Sequence, residues 1–148
     1  MSYSPFAFAR TAIMNVLESA STEQVDAIPD GFNNSIRWNA GHTLVIAEKV
    51  LSHSEHYEHV LPEHYKAFFD KGTSPRDWTD HAPSASEIAD YSTKQLQSAK
   101  KLFDEHADLP LANAFNLRGN IFSTVPDLLS FLSYHEGLHY GAIKLLNK

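Results

Sequence analysis

The sequence predicts an all-α protein, a four-helix bundle, and three observations carry that prediction. Four segments place apolar residues at helical spacing, no run shows sustained strand alternation, and two long polar connections separate the segments. An antiparallel bundle is the simplest way to bury four amphipathic faces, and the long connections point away from plain up-and-down order.

The first helix opens at Ser4 and Pro5, a hydroxyl followed by a proline in the first turn. Phe6, Ala9, Ile13, Met14, Val16 and Leu17 then recur on one side. Past Ser19 the chain turns polar through STEQVDAIPDGFNNS, where Pro29, Gly31 and paired asparagines mark a connection. A second helix starts near Ile36 and runs to about Ser52. The piece HVLPEHYKAFF then suggests a short extra helix before Gly72, Pro75 and Pro83 break the pattern. Ser84 and Glu87 form a capping box for the third long helix, which carries Ile88, Tyr91, Ala99, Leu102 and Phe103. From Asp108 to Phe122, Pro110, Gly119 and several asparagines read as the second connection. Thr124 and Asp127 open the last helix, with Pro126 in its tolerant first turn, and it continues to about Asn147.

A chain of 148 residues with 43% hydrophobic and 20% charged residues fits a single domain over residues 1–148 with a substantial core. Its 12 basic and 18 acidic residues give a formal charge of -6, which disfavours nucleic acid as a partner. No stretch approaches the roughly 18 apolar residues of a membrane span, so no membrane is expected and the cytoplasm is the expected location. The triplet Asn33-Asn34-Ser35 has the form of a glycosylation acceptor but reads as turn residues. There is no cysteine, so any metal must bind through His, Asp or Glu.

The stretch HEGLH, residues 135 to 139, has the form of a zinc peptidase motif. His135 and His139 project from one helical face with Leu128, Leu132, Ile143 and Leu146, while Glu136 is placed at the edge of that stripe, near Leu129. Two imidazoles in an apolar stripe need partners for their polar nitrogens; a metal satisfies both, and the alternative is a pair of core histidines hydrogen-bonded to their neighbours. A peptidase would take its third ligand from downstream, but YGAIKLLNK contains no His, Asp or Glu, and Ala142 and Leu145 stand where the extended motif needs Gly and His. The third ligand must come from upstream. His42 is the best placed, sharing its side with Trp38, Val45 and Ile46. Glu136-x-x-His139 also has the spacing of di-iron bundles, but no second Glu-x-x-His exists. His53, His56, His59 and His64 alternate with Ser54, Glu55 and Glu58 and read as a solvated helix end, outside the site.

NNSIRWNAGH on the second long helix together with HEGLHYGAIKLL on the last resembles the DinB-like (YfiT-like) family of bacterial four-helix metal-binding proteins. The resemblance spans nearly the whole chain. It rests on W-x3-H about ninety residues before a terminal HxxxH helix. It implies up-down-down-up helix order, His42, His135 and His139 as metal ligands, and a homodimer. It also implies a function class, because some members transfer a low-molecular-weight thiol such as bacillithiol.

Three neutral imidazoles leave a tetrahedral ion one open position. The donor set suits zinc first, with nickel or iron also accommodated. The expected function is a metal-dependent enzyme acting on a small-molecule substrate with a thiol or water; the alternative is a non-catalytic stress or structural protein anchored by the same ion. Glu136 is a candidate catalytic base, a group orienting a ligand from behind, or a solvent-facing edge residue. Phe115, Phe122 and Trp78 are candidates to line a pocket over the ion.

Overall fold

The computed structural model describes residues 2–79 and 81–148. Four long helices carry the fold: α1 (Tyr3–Ser19), α3 (Ile36–Leu51), α5 (Ala85–His106) and α6 (Val125–Leu146). Two short helices, α2 (Thr22–Asp26) and α4 (Tyr65–Phe69), and a 3₁₀ turn at Pro75–Asp77 lie in the connections. Among the described residues no helix is long and apolar enough to cross a membrane.

Two apolar clusters show the direction of each helix. In one, Phe6 of α1 packs with Leu128, Leu129 and Leu132 from the start of α6, Val50 and Leu51 from the end of α3, and Ala99 and Leu102 from the end of α5. In the other, Ile13, Met14 and Leu17 meet Ile143 and Leu146, the α3 residues Trp38 and Leu44, and Ile88 at the start of α5. So α1 runs parallel to α6, α3 runs parallel to α5, and the two pairs oppose each other. The order is up-down-down-up.

Local chemistry sets the boundaries. Ser35, Ser84 and Thr124 each accept a backbone N–H three residues on, capping α3, α5 and α6. Ser84 makes only its own half of the expected box, because Glu87 instead accepts the Tyr65 hydroxyl at 2.6 Å. Ser4 is not a cap, since α1 already begins at Tyr3. The unforeseen α2 is held by a complete capping box between Ser21 and Gln24.

The all-α class holds, and the second long connection, read from the sequence as irregular, carries a small sheet. Pro110–Leu117 and Asn120–Thr124 form an antiparallel hairpin, β1 and β2, with Phe115 opposite Phe122 and Leu117 opposite Asn120. Its aromatic side packs on α6, with the Phe115 and Phe122 rings 5.2 and 5.5 Å from that of Phe131.

Between the two apolar clusters lies a buried polar layer. Arg10 forks onto both oxygens of Glu136, Nε to Oε1 at 2.7 Å and Nη2 to Oε2 at 3.0 Å, and its Nη1 reaches Gln95 at 2.8 Å. Gln95 donates to the Leu44 carbonyl and to Glu48, both at 3.0 Å. Glu48 in turn accepts the Tyr57 hydroxyl and the Val60 and Leu61 amides. Burial and the neighbouring Glu48 carboxylate push the Tyr57 hydroxyl pKa up. Arg10 and Glu136 neutralise each other, and Glu48 takes hydrogen bonds on both oxygens from neutral donors, the condition under which such a layer is tolerated.

Candidate metal centre

His42 stands on α3 and His135 and His139 one turn apart on α6, and the structure brings the three together. One ligand nitrogen from each lies within 4.8 Å of the others, the only such group among the described residues. The ring centroids are 4.5 Å apart for His135 and His139, 4.7 Å for His42 and His139, and 5.3 Å for His42 and His135.

Two of the rings are held by the nitrogen facing away from the cluster. His42 Nδ1 lies 2.7 Å from the Phe69 carbonyl, an acceptor only, so that nitrogen carries the proton and Nε2 keeps its lone pair. The contact exists because α4 packs tightly on α3: a Cβ on Gly41 would fall 2.4 Å from the Phe69 ring. His139 Nδ1 lies 2.7 Å from Asn39 Oδ1. The Asn39 amide nitrogen is committed to Asn34 Oδ1 and the Ser35 carbonyl, both at 2.9 Å, which turns its oxygen toward the histidine and fixes that tautomer as well. The Asn-Asn-Ser triplet is thus a turn that caps α3 and orients a ring.

His135 differs. Its Nδ1 is buried without any hydrogen-bond partner, a state that costs about 1–3 kcal/mol unless something fills it. Trp38 stacks on His42 at 4.6 Å and 12°, and Phe131 lies along His135 at 6.2 Å and 20°. Burial is the main reason all three rings resist protonation. It lowers His135 to about 3 and His139 to about 4, with the neighbouring histidines adding to the effect, and it lowers His42 too. Three neutral imidazoles with converging lone pairs and one unsatisfied buried nitrogen fit a divalent ion. His42 is 6% exposed, whereas His135 and His139 are only partly covered, so one side of the cluster opens to solvent.

Glu136 is not at the solvent edge. It is fully buried, because Leu129, Leu132 and Ile143 lie seven before, four before and seven after it, placing it at the middle of the α6 core stripe with the histidines on the flank facing α3. The partner that makes this possible, Arg10, escaped the sequence reading, although it sits in register with Phe6, Ile13 and Leu17. A charge inside an apolar stripe was the available signal. Of the aromatics considered for the pocket, Phe115 and Phe122 pack beside Phe131, while Trp78 lies with Arg37 and Phe69. The other histidines stay outside the cluster: His53 meets the Asn113 carbonyl, His56 stacks on His106, and His64 leads into α4.

Fold and site together define a helical bundle with a three-histidine cluster between facing helices, able to hold a metal ion. The chain belongs to the DinB superfamily, whose family model matches residues 6–143. A conserved protein of Enterococcus faecalis, known from its crystal structure, shares the fold with a TM-score of 0.70 at 15% identity, over 99% of this chain and 92% of that one. No curated protein matches the sequence.

Proposed function

We propose that this protein is a metal-dependent enzyme in which His42, His135 and His139 hold one divalent ion, zinc in first place. Its substrate is a small molecule, and the attacking group is a low-molecular-weight thiol or water. The convergence of three neutral imidazoles, two of them oriented from behind and the third with an unpaired nitrogen, supports this reading. A bound cation of this kind lowers the pKa of a thiol or water in its remaining position. The chain's own residues do the rest. Phe69 and Asn39 fix the rings of His42 and His139, Trp38 closes one flank, and the partly covered side of His135 and His139 gives a path for substrate. Glu136 has both oxygens on Arg10 and serves by anchoring the ligand-bearing turn of α6 to α1. With no cysteine in the chain, a thiol nucleophile must arrive with the cosubstrate. The exposed Tyr134, Leu138 and Leu145 on the outer side of α6 give a second copy of the chain a surface to pack on, consistent with a homodimer.

The test is metal content by plasma mass spectrometry on tag-free protein, native and with His42→Ala, His135→Ala or His139→Ala. We expect about one ion per chain, from the single three-ligand set, lost in each variant. No metal after incubation with zinc or nickel would defeat the proposal. A thiol-dependent activity that survives alanine at all three positions would defeat its catalytic part. If metal binds and raises the melting temperature while no exchangeable ligand is detected, the ion is a structural anchor instead.

A further inference from the structure

Arg118 occupies a backbone position that its residue type disfavours. Arg118 and Gly119 form the two-residue connection of the hairpin, between the directly paired Leu117 and Asn120. Both have positive φ, 53° and 84°, the geometry of a turn whose first position normally falls to Asn, Asp or Gly. Arg118 is the one non-glycine residue with positive φ among the described residues. A side chain kept at a conformational cost points to a use for the side chain.

That side chain is free. The other three arginines have partners, Glu136 for Arg10, Asp26 for Arg37 and the Phe32 carbonyl for Arg76, whereas the Arg118 guanidinium bonds to none of the described residues. It lines a pocket of about 370 Å³ with Asn120, Phe122, Ser130, Phe131 and Tyr134. The wall carries three aromatic rings and one cation. Phe131 belongs to this wall and also lies along His135 at 6.2 Å, so the pocket and the histidine cluster share a side chain.

We propose that this pocket is an anion-recognising subsite, and that its ligand is a small molecule with one carboxylate on an apolar or aromatic body whose far end reaches the histidine cluster. The guanidinium fork matches a carboxylate in two parallel hydrogen bonds, and the body stacks against Phe122, Phe131 and Tyr134. A single arginine in a chain of net charge -6 suits a monoanion better than a phosphate dianion. The link to the cluster rests on the metal reading above, while carboxylate binding at Arg118 does not.

The experiment separates the two. Metal-free, ¹⁵N-labelled, tag-free protein is titrated with 4-phenylbutyrate, with the neutral 4-phenylbutan-1-ol and with phenyl phosphate, following amide resonances. The carboxylate should move Gly119, Asn120 and Phe131 and bind about tenfold tighter than the alcohol, the effect of one charge-assisted contact. Arg118→Asn should remove that advantage, leave the alcohol unchanged and not lower the melting temperature, and Arg118→Lys should keep part of it. Equal binding of acid and alcohol, wild-type affinity in Arg118→Asn, or a clear preference for the phosphate would overturn the subsite. In zinc-loaded protein, 3-(mercaptomethyl)benzoate should gain about tenfold or more over its metal-free affinity, as expected when two subsites act on one ligand. The gain should disappear in His135→Ala, and in the zinc-loaded state Arg118→Asn should weaken this ligand by about the tenfold that it costs 4-phenylbutyrate, the effect of one charge-assisted contact. No gain with carboxylate binding intact would overturn the link to the cluster and leave Arg118 as an isolated anion site.

Discussion

Asn39 gives its amide protons to the Asn34 side chain and the Ser35 carbonyl, so its oxygen is left to meet His139. Replacing it with Ala removes the acceptor that holds the ring and its tautomer. Partners of this kind are worth about 10–100-fold in metal affinity, and Asn39→Ala should lose that much in competition with a chromophoric chelator while keeping its helical circular dichroism. Asn39→Asp retains an acceptor and should lose less. An unchanged affinity in Asn39→Ala would mean that the His139 ring is fixed by packing alone. At this scale much of the site is readable from the sequence, since the HxxxH spacing and His42 on an apolar face identify the cluster. The tie from Asn39 was not, because an asparagine just inside a helix has many possible partners and only the approach of α6 selects one.

Among the elements, the Arg10 and Glu136 pair joins the parallel helices α1 and α6 through the polar layer. Removing one partner leaves a buried charge without its counterion, so Arg10→Met should cost about 3–5 kcal/mol in denaturant unfolding. The double variant Arg10→Met, Glu136→Leu should recover most of that loss, since apolar replacement of a whole buried pair is often neutral. Additive losses would show that the two side chains act separately. Sequence periodicity found the four long helices because each buries an apolar stripe. The hairpin escaped it because β1 is almost wholly exposed, so PLANAFNL alternates nothing against solvent, and Leu111, Phe115, Phe122 and the His53 contact to the Asn113 carbonyl tie the hairpin to the bundle. Its turn also lacks the usual Asn-Gly signal, carrying Arg118 in its place. Glu136 was misplaced for a related reason: its charge argued for the surface, while its spacing from Leu129, Leu132 and Ile143 argued for the core.

For the molecule as a whole, the histidine cluster predicts how stability follows pH. His135 and His139 have folded values of about 3 and 4, below the 6.5 of an unfolded chain. Between those limits the unfolded chain binds more protons than the folded one, so stability rises with pH across that window. Metal-free protein should therefore be fully stable above about pH 6.5, the unfolded-state value, and lose stability as the pH falls toward 4 and below. The variant His135→Phe, with one fewer titrating ring, should show a shallower acid decline in thermal melts. Acid curves of equal slope would mean that the cluster does not govern the transition. Zinc should steepen the decline in native protein, because protons and metal compete for the same nitrogens.

The parallel course of α1 and α6 has a practical consequence for anyone rewiring the chain. Tyr3 opens α1 at the end of the bundle where α6 begins, and Leu146 closes α6 at the other end, so they are separated by roughly the length of that 22-residue helix, about 33 Å at 1.5 Å per residue. A circularly permuted variant therefore needs a linker of about ten extended residues or more. The natural place to open it is the exposed hairpin tip between Arg118 and Gly119, where a cut spares all four long helices and both apolar clusters.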